Sequence, residues 1–171
     1  MEAMEYIENR TYDEIQVGDS ASLVRTLKPQ DIQLFAIMSG DVNPSHVDPE
    51  YARSSMFREV IAHGMWGGAL ISTVLGTQFP GPGTIYVDQT LHFSRPVGLG
   101  DTITVMVTAT RKFDHNHHIL FDCVCTNQDG QKVIGGTAEV LAPTEKIKRP
   151  RIELPEVTIV DREARYQHLL D

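Results

Sequence analysis

Residues 101–113, DTITVMVTATRKF, alternate between apolar and polar side chains. That period of two predicts a half-buried strand with Ile103, Val105, Val107 and Ala109 on one face and threonines with Met106 on the other. HHILFDCVCTN (117–127) and QKVIGGTAEVLA (131–142) read as two more strands, and the Gln128-Asp129-Gly130 step between them is a hairpin signal. TIYVDQTLHF (84–93) predicts another, with Ile85, Val87, Leu91 and Phe93 on one face and Gln89 as that face's single polar member. A short first strand fits VGDSASLVRTL at 17–27.

The period changes elsewhere. Pro29 suits the first turn of a helix, and Ile32, Leu34, Phe35, Ile37 and Met38 give it an apolar body as far as Gly40, which ends it. Asp48-Pro49 reads as a cap and first helical position of a short helix through PEYARSS. HGMWGGALISTVLGTQF (63–79) is apolar almost all round, so this helix must be buried on most sides, and its glycines permit close approach to a sheet or ligand. One long buried helix with a run of antiparallel strands defines an α+β domain whose sheet wraps the helix, over residues 1–142. From 143 to 171 the texture is charged, rich in proline and without period, which reads as a linker or C-terminal arm.

Composition narrows the function classes. A chain of 171 residues with 41% hydrophobic content can fill one core without metal or disulfide support. The net charge of −8 speaks against a nucleic-acid or membrane-surface partner, both of which need concentrated basic charge. No apolar run is long enough to span a bilayer, and the acidic amino end lacks the pattern of a secretory signal, so a cytoplasmic protein is expected. Cys123 and Cys125 share one face of a strand, where a bond between them would strain the backbone; they read as small core residues. There is no dinucleotide-binding glycine fingerprint, Walker loop or nucleophile elbow, which removes support for nucleotide redox, phosphoryl-transfer and α/β-hydrolase chemistry.

The chemistry gathers in SGDVNPSHVDPEYA (39–52). On a continuous helix Asp41 and His46 would point to different faces. Pro44 drives Asn43 out of the helical region, so residues 41–46 are expected to form a loop that turns both side chains toward one point. An imidazole that exchanges protons near neutral pH beside a carboxylate suits the addition or removal of water. Asn43 is expected to fix the loop and Asp48 to cap a helix. His63 either holds the helix start by hydrogen bonding or touches substrate, and Gln89 either faces the site or satisfies a buried backbone group. A metal is not expected: Asp41, His46, Asp48 and the cluster His115, His117 and His118 offer ligands, but their spacing promises no tetrahedral convergence.

GDVNPSHVDPEYA, AHGMWGGALIS and IYVDQTLHFSRPVGLGDTI, in that order along residues 12–142, resemble the R-specific enoyl-CoA hydratases of the MaoC-like dehydratase family. The resemblance implies a hot-dog fold, usually paired as a dimer, with Asp41 and His46 flanking the double bond of a trans-2-enoyl-CoA and adding one water without a cofactor. It implies that the N–H of Gly64 meets the thioester oxygen and that Ser72 occupies a polar position near the pair. His46 as base and Asp41 as orienter and relay is the favoured assignment, with the reverse open. Two rivals remain: an acyl-CoA thioesterase, since fold alone does not fix function, and a non-catalytic acyl-CoA-binding module. The second draws on the tail, which is similar to the region joining hydratase and phosphate acyltransferase domains in fused bacterial proteins.

Overall fold

In a computed structural model, which describes residues 5–160, the chain opens with β1 (Tyr6–Glu8) and one 3-10 turn, then β2 (Ser20–Thr26). Three helices follow, α1 (Pro29–Ser39), α2 (Pro44–Val47) and α3 (Pro49–Ser54), and then the central helix α4 (Gly64–Thr77). The strands β3 (Ile85–Gln89), β4 (His92–Phe93), β5 (Thr102–Phe113), β6 (His118–Thr126), β7 (Lys132–Leu141) and β8 (Lys148–Pro150) complete the order. The main sheet is antiparallel with strand order β2-β5-β6-β7-β3, and β4 also pairs with β7. This is the expected α+β arrangement.

The core lies between α4 and the sheet. Ile103, Val105, Val107 and Ala109 of β5 are all buried, as are Ile119, Phe121, Cys123 and Cys125 of β6, so the period of two delivers a continuous apolar face. Trp66, Ile71, Val74 and Leu75 bring the inner stripe of α4 onto it. Each large side chain so buried contributes about 1.5 to 3 kcal/mol. Both cysteines are free, and burial pushes the Cys123 thiol up to about 12 and that of Cys125 to about 11.

Three readings need correction. The strand expected at 84–93 is broken in two: a register shift between Tyr86 and Asp88 bulges Val87 outward, and the chain kinks at Thr90. The Thr90 carbonyl there presses so closely on Gly136 that a Cβ has no room. Ile85, Val87 and Phe93, expected together on one apolar face, are about half exposed. The loop expected at 41–46 contains the one-turn helix α2, because Pro44 removes a donor that a first helical residue does not need. The arm expected from 143 is attached at its start, since β8 pairs antiparallel with β1 and the buried Asn9 side chain bonds to the backbone of Glu145 and Ile147. Two lone three-residue strands carry no period, which is why the pairing was not legible. Residues 161–171 of that arm lie outside the described residues.

Candidate active site

The site begins where α1 ends. Gly40 closes the helix in a left-handed conformation (φ 76°), its N–H bonded to the Ala36 carbonyl, and the chain turns away. Asp41 Oδ1 then accepts the Asn43 N–H at 3.1 Å, and Asn43 Oδ1 accepts the Ser45 N–H at 3.0 Å. These nested bonds make Asn43 the cap of α2, which matches its expected role of fixing the loop. His46 therefore sits in the single turn of α2, and Asp48, two residues on, caps α3 through the N–H groups of Glu50 and Tyr51. Four short devices in ten residues replace one continuous helix.

Two backbone carbonyls settle the histidines. His46 Nδ1 lies 2.9 Å from the Ile61 oxygen. A carbonyl only accepts, so Nδ1 carries a proton, and in the neutral imidazole Nε2 keeps its lone pair. His63 Nε2 lies 3.0 Å from the Asp41 carbonyl and is protonated by the same argument. That bond ties the head of α4 to the loop that carries the carboxylate. The His63 ring is buried, stacked on Phe35 at 4.7 Å and tilted against His46 at 4.1 Å. Its Nδ1 has no hydrogen-bond partner. Of the two roles left open for His63, the contacts support holding the helix start.

Donor atoms of Asp41, His46 and His63 all lie within 4.8 Å of one another. Asp41 and His46 converge as their spacing predicts, while the third member, His63, comes from the head of α4. The same set has the residue types of a metal site; Asp48 and the 115–118 histidines do not join it. Asp48 is taken up by its cap, His118 by Glu139 at 2.7 Å, and His117 by the Tyr12 ring.

A cavity of about 400 Å³ contains His46, His63 and Gly64, with Trp66, Gly67 and Ile134 at its buried side. As the first residue of α4, Gly64 has no carbonyl one turn earlier in its helix, so its N–H is a donor available to a ligand oxygen. Ser72 and Gln89 are placed elsewhere. They line a separate cavity with Tyr86, Phe35 and Met65, two turns along α4 from Gly64. Gln89 satisfies the carbonyls of Thr90 and Thr137 through Nε2 and accepts the Tyr86 hydroxyl at 3.0 Å, so its backbone role is the one its contacts support. Phe35 lines the second cavity and stacks on His63, which lines the first; its part was missed, and its place in a helical stripe offered no signal.

A partly exposed imidazole and a helix-terminal N–H line one apolar cavity, and a carboxylate that is not among the lining residues stands beside the imidazole, an arrangement suited to acid–base chemistry on a polarised substrate. The family model described as the MaoC-like domain matches residues 14–123, and the chain belongs to that family. It is 46% identical over 132 residues to an (R)-specific enoyl-CoA hydratase of Rhodospirillum rubrum, covering 77% of this chain and 91% of the relative. Among solved structures, the unliganded R-hydratase PhaJ1 of Pseudomonas aeruginosa aligns with a TM-score of 0.87 at 44% identity, over 91% of this chain and 100% of that one. The (R)-hydratase of Aeromonas caviae aligns at 0.74 and 35% identity, over 75% and 98%.

Proposed function

We propose that the chain hydrates trans-2-enoyl-CoA to R-3-hydroxyacyl-CoA and catalyses the reverse dehydration, with Asp41 and His46 as the acting pair and no cofactor. The observation that carries this reading is the tautomer of His46. With Nδ1–H spent on the Ile61 carbonyl, Nε2 is left as a base, and the Asp41 carboxylate stands within 4.8 Å to hold the water. The water loses a proton to Nε2 as its oxygen bonds to C3. The C2=C3 pair shifts toward the thioester, whose oxygen gathers charge against the Gly64 N–H. The proton returns to C2 on the same face, relayed through Asp41. His63 acts as a positioning residue, through the Asp41 backbone.

A second copy of the chain is the expected partner. Ile85, Tyr86 and Val87 on the outer strand β3, with Met38 and Met65 beside them, leave a large apolar surface exposed. Among the described residues no helix is long and apolar enough to cross a membrane.

Incubation with crotonyl-CoA tests the reaction. Loss of the enoyl absorbance without release of thiol is the expected result, and it should persist in the presence of a chelator. Stoichiometric release of free CoA would instead assign thioester hydrolysis.

A further inference from the structure

The reacting end of the cavity accounts for an acyl thioester and leaves open where the carrier half of the substrate goes. We propose that Arg95 anchors a phosphate of the CoA moiety, which leaves the cavity across the rim formed by residues 56–58 and 93–97. This rests on the reading of the site as one for CoA thioesters.

The cavity has a buried side and an open one. Trp66, Gly67 and Ile134 form the buried side, whereas Met56, Phe93 and Arg95 are exposed and mark the mouth. Among the lining residues Arg95 is the sole lysine or arginine, and no carboxylate lines the cavity. Arg10, Arg25, Lys146, Lys148 and Arg151 all have acidic partners, and Arg95 has none among the described residues.

The mounting of Arg95 is rigid. The N–H groups of Ser94 and Arg95 both reach the Val133 carbonyl, at 2.9 and 3.4 Å, and Pro96 restricts the backbone that follows. The Ala62 N–H bonds to the Val97 carbonyl and Ile61 pairs antiparallel with Gly98, so the rim runs alongside the approach to α4. The Phe93 ring packs close to Gly64. Arg58 adds a second exposed, unpaired guanidinium next to Phe57, held in a left-handed conformation (φ 65°). Arg111 and Lys112 are committed elsewhere: Arg111 stacks on Phe113, and Lys112 donates to the carbonyls of Tyr12 and Ile15. A guanidinium fork fits phosphate oxygens in pairs, which favours a phosphate over the neutral pantetheine chain as its ligand.

Calorimetric binding of free CoA and of pantetheine, which lacks every phosphate, to the full chain and to Arg95→Gln tests this without relying on turnover. The substitution should weaken CoA binding about 10-fold or more, the size expected for one charge-assisted contact. Pantetheine binding should change less than about twofold. Arg95→Lys, which keeps the charge but not the fork, should fall between the wild type and Arg95→Gln. Unchanged CoA affinity, or an equal loss for both ligands, would overturn the proposal. A chain that binds CoA through Arg95 yet leaves crotonyl-CoA intact would instead remove the hydratase reading and keep the anchor.

Discussion

The sheet from β5 to β7 and the segment from Ser39 to Gly64 solve opposite problems. In the sheet every inward residue is apolar and nearly every backbone group is paired along ladders of nine or more partners, as in β5 with β6. In the segment Asp41 and Asn43 are exposed and His46 only partly covered, and the backbone is held by side chains: Asp41, Asn43 and Asp48 each accept N–H groups two or three residues ahead. Stability resides in the first region and chemistry in the second. An exposed residue of the segment can therefore be exchanged with less loss of fold than an inward residue of the sheet.

The sharpest way to break that division is at His46. Replacing it with Gln should cut crotonyl-CoA hydration by about 10²- to 10⁴-fold, and Asp41→Asn should act similarly, while thermal unfolding stays close to wild type. A variant that loses activity only in proportion to its unfolded fraction would erase the distinction. Next in size comes Gly136→Ala in β7. A Cβ there meets the backbone of Thr90, which cannot swing aside as a side chain end would, so a loss of about 3 kcal/mol is expected in denaturant unfolding. Asp48→Ala should cost about 1 kcal/mol by removing the cap of α3. It should also perturb turnover only modestly, since the histidine turn before it keeps the Asn43 cap.

The smallest effect belongs to the surface clip at the amino end. Lys146 beside Glu14 is the largest cause holding that carboxyl down, to about 2. Its folded value is depressed, so the stabilisation is present above the ordinary carboxylate range and disappears as the pH falls toward 2. Melting curves of the wild type and Glu14→Gln between pH 6 and 2 should converge at the acid end. A gap that stays constant would show that the contact, not the charge, stabilises the clip.

Much of this was legible in residues. The alternation of 101–113 and 117–127 named the buried face of β5 and β6 side chain by side chain, and Pro29 with Gly40 bounded α1. The same logic failed at 84–93, where one apolar period continues across a bulge and a kink that depend on Gly136, some fifty residues away. It failed again at the arm, where Asn9 and Ile147 meet only because both chain ends run past the same edge. At the site, the Asn-Pro break brought Asp41 and His46 together as expected, yet Ser72, grouped with them by resemblance, and Gln89, left open between the site and a buried backbone group, line the next cavity.

Local chemistry along the chain determined which strands alternate, where α1 stops and which two groups can share a water, because each depends on neighbours within a few residues. Only the tertiary structure decided which ring nitrogen of each histidine donates. The Ile61 carbonyl leaves His46 Nε2 bare, and the Asp41 carbonyl orients His63. Those partners lie 15 and 22 residues away, and a hydrogen bond between them exists only once the head of α4 has packed against the end of α1.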